Sequence, residues 1–194
     1  MSQKAGKHKR VLVTGSAGAI GQIVCRWLRA RGHHVRGFDL RPSTGLEDFV
    51  VGDLSERTDV EAAVKGRETV IHLAAHTDDG DFIDTLLEPN VRGLYRVCDA
   101  ARRAKVGRLI LGSSLQVAEG HDWNTGTVRI EDGPAPANHY ALTKALAELL
   151  GDMYARCYGL SVISARIGWL PRNTEEARRL AKHEIGAGGL SQPR

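Results

Sequence analysis

The chain has 194 residues, of which 42% are hydrophobic and 26% charged, ordinary values for a folded domain that can bury a core and unlike those of a disordered or collagen-like chain. Its net charge of +4 comes entirely from Lys4, Lys7, Lys9 and Arg10; the other 23 Lys+Arg balance 23 Asp+Glu. A basic end of this kind is not the folded basic face that nucleic acid requires, so a solvated tail over residues 1–10 is expected and a nucleic-acid partner is not. No apolar run approaches the roughly 20 residues of a membrane span, and the polar start lacks the apolar middle of a secretory signal. A cytoplasmic protein without membrane contact is expected. Cys25, Cys98 and Cys157 are an odd number without C-x-x-C spacing, which predicts buried thiols rather than a disulfide framework or a zinc site.

Short apolar runs alternate with longer helical patterns along the chain. Val11–Val13 reads as a strand ending in a glycine-rich turn. A helix follows over 20–31, with Ile20, Val24, Trp27 and Leu28 on one face. Strands are predicted at 34–38 and 49–51, a short helix at 59–65 and a fourth strand at 69–73. A helix over 90–105 carries Val91, Leu94, Val97, Cys98 and Ala101 at helical spacing, and a fifth strand covers 108–111. Residues 118–137, rich in Gly, Asn, Asp and Pro, form the longest irregular stretch and are expected to border a functional site. A long helix over 138–158 follows, with an apolar stripe through Leu142, Leu146, Leu149 and Met153 assigned chiefly to the core. The sixth strand is placed at 161–165 and a last helix at 174–185, capped by Thr174. Six β-α repetitions predict a doubly wound parallel sheet, a three-layer α/β/α Rossmann fold over residues 11–194 with little or no separate substrate domain.

Gly15, Gly18 and Gly21 are spaced three apart, directly after a strand and at the opening of a helix. That context predicts a turn over Gly15–Gly21, including Ala17, Ala19 and Ile20, whose backbone approaches a pyrophosphate. Asp39 ends the second strand, 18 residues after Gly21, where a carboxylate can accept hydrogen bonds from ribose hydroxyls and would repel a 2′-phosphate. NAD is therefore favoured over NADP, with Arg41 close enough to keep NADP as the lesser alternative. Tyr140 and Lys144 stand four apart on the predicted long helix, hence on one face. A phenol with a pKa near 10 is a poor base at neutral pH, and a neighbouring ammonium favours its phenolate. Ser114, near the end of the fifth strand, can hydrogen-bond the reacting oxygen. His72, His76, Asp78, Asp79 and Asp81 could form a cation site, but an acidic loop is the expectation, without a metal.

These stretches together resemble the extended short-chain dehydrogenases/reductases, the NAD-dependent epimerase/dehydratase family. The matching segments are Val13 through Gly21, Asp39, Gly52-Asp53-Leu54, His72-Leu73-Ala74-Ala75, Asn90-Val91-Arg92-Gly93, Ser113-Ser114, Tyr140 with Lys144, and Arg166-Ile167-Gly168. The resemblance implies that Asp53 and Leu54 lie beside the adenine, and that Leu73, Ala74 and Ala75 pass under the cofactor by their backbone. It implies that Lys144 also binds the nicotinamide ribose, that Tyr140 is the acid/base assisted by Ser114, and that a hydride moves between substrate carbon and nicotinamide. Asn90 either helps hold the central helix and solvent near the site or simply caps the helix before Val91.

Asn90-x-x-Gly-Leu-Tyr95 and Arg166-Ile-Gly are similar to uronate dehydrogenases, which oxidise free sugar acids. Many relatives follow the serine pair with Val-Tyr-Gly, whereas this chain has Leu115-Gln116-Val117-Ala118-Glu119-Gly120, a departure that weakens the expectation of a nucleotide-sugar substrate. The implied activity is NAD-dependent oxidation, epimerisation or dehydration at a sugar-like hydroxyl or carbonyl, and the implied assembly a homodimer through the Tyr140 helix. Little sequence follows the sixth strand, so the expected alternative is a truncated or non-catalytic dinucleotide-binding module.

Overall fold

The computed structural model describes residues 8–77, 79–124, 126–171 and 174–181. Six strands, β1 (Arg10–Thr14), β2 (His34–Asp39), β3 (Phe49–Val51), β4 (Thr69–His72), β5 (Arg108–Ser114) and β6 (Ser161–Ile167), form one sheet in the order β3-β2-β1-β4-β5-β6. Every pairing is parallel. The order reverses between β1 and β4, which opens a crevice at the carboxyl ends of those strands where ligands of such sheets bind.

Among the described residues four α-helices lie between strands, α1 (Ala19–Ala30), α2 (Arg57–Val64), α3 (Leu94–Arg103) and α4 (His139–Tyr158), and α5 (Thr174–Ala181) follows β6. One face is covered by α2, α3 and α4; on the other α1 covers β1 and β2, and Ile163 of β6 is 46% exposed. Val11 and Val13 pack with Cys25 and Leu28 of α1 on one side. Leu12, Val70, Leu109 and Leu111 pack with α2, α3 and α4 on the other. The alternation of side chains along β1 therefore feeds two cores from one strand.

Several boundaries differ from the sequence reading. Arg10 opens β1, and Lys9 and Arg10 lie 3.6 and 3.5 Å from Glu68, so the boundary expected at residue 10 falls inside the ordered sheet; residues 1–7 lie outside the described residues. The third helix begins earlier than Asn90 and in a different winding. Asp81 caps it by accepting from the Ile83 and Asp84 N–H groups, and residues Phe82–Gly93 run in wide π-helical turns around Pro89 before α3 starts. Proline lacks the N–H of a regular ladder, which is why pattern alone did not extend the helix across it. Residues 182–185 of the predicted last helix lie outside the described residues.

Three predicted faces are corrected. Trp27 is 52% exposed and carries the Arg31 guanidinium 3.4 Å over its ring, because α1 turns Gly21, Cys25 and Leu28 inward. Cys157 is exposed, whereas Cys25 and Cys98 are buried. In α4 the sheet takes the small residues Ala141, Ala145 and Ala147, so Leu142 and Leu149 of the leucine stripe face outward.

Candidate active site

The turn after β1 is built for close backbone approach. Gly15 has φ of +69°, and a Cβ there would lie 2.7 Å from the Ala74 nitrogen. A Cβ on Gly21 would strike the Gly15 carbonyl oxygen and lie 2.8 Å from the Ser16 Cα. Only glycine fits both places, since neither the strand ends nor the first turn of α1 can give way. Gly15 N–H donates to the Phe38 carbonyl at 2.8 Å and Gly18 N–H to the Gly15 carbonyl at 3.1 Å, which folds the turn over the crevice. Gly18 is the N-cap of α1, with no side-chain hydrogen bond from the cap, so the helix presents its first N–H groups and positive dipole end there.

Asp39 closes the turn from β2. Its Oδ2 accepts from the Ala17 N–H at 3.0 Å and its Oδ1 from the Arg41 N–H at 3.2 Å. One carboxylate thus fixes the loop and stands at the edge of the crevice with negative charge. Gly52, next to Asp53, donates to the Asp39 carbonyl at 3.1 Å. Asp53 is exposed and holds the Ser55 N–H at 2.8 Å, whereas Leu54 turns inward and packs against Gly93.

Thr14 joins the turn to the end of β4. Its Oγ1 accepts from the Leu73 and Ala74 N–H groups, both at 3.2 Å, and lies 2.7 Å from His72 Nδ1. A hydroxyl has two lone pairs and one proton, so with both lone pairs engaged Thr14 donates to His72 and sets its neutral Nε2–H tautomer. Burial, helped by the Lys144 ammonium, pushes the His72 pKa down to about 3. Ala75 follows in the same half-buried segment.

The catalytic candidates converge at the ends of β5 and α4. Asn138 caps α4 by accepting from the Ala141 N–H at 2.7 Å, which places Tyr140 and Lys144 on successive turns facing the sheet. Both are 9% exposed. Lys144 Nζ donates to the Gly112 carbonyl of β5 at 2.9 Å and lies 5.5 Å from the centroid of the Tyr140 ring. Burial lowers its pKa from 10.5 to about 8, which leaves an ammonium at neutral pH beside the phenol. Ser114, two residues beyond Gly112, is equally buried and accepts the Gln116 N–H at 3.2 Å. Asn138 also donates to Gln116 Oε1 at 3.0 Å and to Glu119 Oε2 at 3.3 Å. The two ends of the 118–137 stretch are thereby tied together beside the serine and the tyrosine.

Asn90 does not act as an N-cap. It sits at the end of the π-wound turns, 4% exposed, with Oδ1 accepting from the His76 N–H at 2.7 Å. Its amide donates to the His76 carbonyl and to Thr143 Oγ1, both at 3.1 Å, and Thr143 in turn donates to the Tyr140 carbonyl at 2.7 Å. Asp79 Oδ1 accepts from the Tyr140 N–H at 3.1 Å. Thr143 and Asn138 were not singled out from sequence, although Asn138 carried a local signal as a cap residue opening a helix; Thr14 entered only within the Val13–Gly21 segment and Asp79 only as part of an acidic loop, neither with the role it has here. Among the described residues no group of three His, Cys, Asp or Glu side chains could hold a metal ion, and Asp78 lies outside them.

A doubly wound sheet, a glycine cradle at its switch point and a Tyr-x-x-x-Lys helix across the crevice define a dinucleotide-dependent enzyme layout. Residues 11–170 match the NAD dependent epimerase/dehydratase family, and the chain belongs to it. It is 32% identical over 186 residues to the L-arabinose 1-dehydrogenase (NAD(P)(+)) of Haloferax volcanii, covering 90% of this chain and 72% of that protein. It is 31% identical to the uronate dehydrogenase of Pseudomonas syringae pv. tomato over 82% of this chain and 58% of the relative. A short-chain dehydrogenase/reductase from Agrobacterium tumefaciens, solved with bound NAD, superposes with a TM-score of 0.75 at 36% identity, covering 81% of this chain and 48% of that one. The chain thus spans from about half to under three quarters of the length of these proteins.

Proposed function

We propose that the protein is a cytoplasmic NAD-dependent oxidoreductase that acts on a hydroxyl or carbonyl of a sugar or sugar acid, with Tyr140 as acid/base, Lys144 as its charge partner and Ser114 as hydrogen-bond donor to the reacting oxygen. The observation that carries this reading is the Lys144 ammonium, buried against the Tyr140 ring and pinned to β5.

The cradle fits a dinucleotide: the space a Cβ would fill at Gly15 and Gly21 is closed to every other residue, and the α1 N-terminus faces the same crevice. Gly15, Ala17, Gly18, Ala19, Ile20 and Gly21 would hold its pyrophosphate by their backbone and Asp39 its adenosine ribose. Asp53 and Leu54 would border the adenine, with Leu73, Ala74 and Ala75 under the cofactor. When bound, NAD supplies the acceptor or donor of the hydride. The chain's own residues handle the proton. The ammonium of Lys144 stabilises the Tyr140 phenolate, which takes the proton of a substrate hydroxyl; in reverse, the phenol returns it to a carbonyl oxygen. Ser114 orients that oxygen. Asp79 holds the Tyr140 N–H directly and Asn90 its carbonyl through the Thr143 hydroxyl, which would fix the backbone that carries the phenol.

The test is Tyr140→Phe with a panel of aldoses and uronic acids. Turnover should fall by about 10²- to 10⁴-fold while NADH affinity, read by fluorescence, stays within about threefold. Unchanged turnover would remove Tyr140 from the chemistry. Bound NADH with no turnover by the natural chain would favour the non-catalytic module.

The outward leucines of α4 support a homodimer. Leu146 and Leu150 border a cavity of about 480 Å³ shared with Leu94 and Tyr95 of α3, and Leu149 beside it is 58% exposed. Burying that face against a second copy would remove this apolar cavity from water. Sedimentation at micromolar concentration should give a dimer that Leu149→Glu converts to monomer; a monomeric natural chain would defeat this assignment.

A further inference from the structure

Glu148 stands on α4 one helical turn beyond Lys144 and two beyond Tyr140. Its Oε1 accepts from Ser113 Oγ at 2.5 Å and from Arg166 Nε at 2.9 Å, and its Oε2 accepts from Arg166 Nη2 at 2.8 Å. Ser113 and Arg166 are direct partners in the register of β5 and β6. One carboxylate therefore clasps the carboxyl-terminal ends of two strands at once. A turn earlier on the same helix, Lys144 grips the Gly112 carbonyl. Three residues later, Gly151 brings the helix down on the sheet, where a Cβ would lie 2.9 Å from Leu111 and 3.0 Å from Val162.

Consecutive β5 residues 112 and 113 are thus held by consecutive turns of α4, immediately before Ser114. The clasp is mostly enclosed: Ser113 is 3% exposed, and the Glu148 and Arg166 side chains 14% and 21%. Burial by itself would raise the Glu148 pKa, but the hydrogen bonds from Arg166 and Ser113 override it and hold the carboxyl below its usual range. The group is charged at neutral pH, as a bidentate guanidinium partner requires.

We propose that Glu148 is a positioning residue for the reaction, fixing through Ser113 the rotation of the last β5 residues and so the aim of the Ser114 hydroxyl and of the Gly112 carbonyl that holds Lys144. An ion pair serving stability alone needs Arg166 and nothing more. The second acceptor role of Oε1, toward a serine adjoining Ser114, ties the pair to the site. The inference rests on the Ser114, Tyr140 and Lys144 assignment given under Proposed function.

Glu148→Gln, Ser113→Ala and the double variant of the full chain test it, with a sugar that the natural chain turns over. Each single change should lower kcat by about 5- to 50-fold while NADH affinity stays within about threefold, because small misplacements of reacting groups cost rate more than binding. The double variant should be no slower than Glu148→Gln alone, since both changes cut one link. Unchanged kcat in the folded variants, or losses that multiply, would overturn the proposal. A second readout needs no turnover: in ¹³C-lysine NMR, Lys144 should titrate near 8 in the natural chain. It should move up by about half a pH unit or more in both single variants as water reaches the loosened ammonium. A natural chain that binds NADH but turns over no sugar defeats the oxidoreductase reading; the Lys144 titration then judges the clasp, and an unmoved midpoint overturns it.

Discussion

Lys144→Met removes an ammonium and keeps a chain of similar length, and its effect on stability follows from where that ammonium sits. Burial draws the Lys144 pKa from 10.5 to about 8, which corresponds to about 3 kcal/mol withheld from the protonated form in the folded state. Against this stands the 2.9 Å hydrogen bond to the Gly112 carbonyl. Its loss leaves an acceptor unpaired, at a cost of about 1–3 kcal/mol. The variant should therefore be inactive, yet as stable as the natural chain at pH 7, or up to about 2 kcal/mol more stable.

The pH dependence is the sharper signature. The unfolded chain keeps this lysine proton up to pH 10.5, whereas the folded chain releases it above about 8. Within that window the unfolded state binds more protons, so the natural chain gains stability as pH rises. Between about pH 7.5 and 9.5 the gain is about 2 kcal/mol, and Lys144→Met lacks it. Urea denaturation with and without Lys144→Met at those two pH values, both in a Tyr140→Phe background so that the phenol beside Lys144 does not titrate, reads the difference. Parallel profiles would refute the buried ammonium. A variant weaker by more than about 3 kcal/mol at pH 7 would show that the hydrogen bond outweighs the desolvation.

The remaining predictions concern cofactor, proton transfer, assembly and the strand clasp. Gly21→Ala forces a methyl group into the Gly15 carbonyl and should weaken NADH binding by at least about tenfold in a fluorescence titration, with a loss of about 1–3 kcal/mol in stability. NADH affinity equal to that of the natural chain would show that the turn can open without consequence. Tyr140→Phe should separate turnover from cofactor affinity, Leu149→Glu should separate monomer from dimer, and Glu148→Gln with Ser113→Ala should report a single shared link.

The order of elements was legible from local chemistry. Gly15 follows the end of β1, Gly18 caps α1, and Asp39 closes β2, each because a backbone conformation, a helix cap or a strand end demands a particular residue type at a fixed spacing. The Tyr140 and Lys144 pair was legible for the same reason, since i,i+4 spacing on a helix needs no knowledge of the rest of the chain. Faces were less legible. Trp27 and Leu149 have the hydrophobicity of core residues, but which side of a helix meets the sheet depends on its packing partners, and the sheet selected the small side chains of α4.

By itself, the sequence determined the doubly wound class, the glycine turn and the placing of Tyr140 and Lys144 on one helix face, all of them consequences of short-range geometry. Tertiary structure alone decided what holds them. Thr14 meets His72 across 58 residues, Asn90 meets Thr143 across 53, and Glu148 meets Ser113 across 35. These bonds join elements brought side by side by parallel crossovers, so no local pattern marks them. Their physical basis is the demand that every buried polar group find a partner, and that demand can be read only once the chain has folded around it.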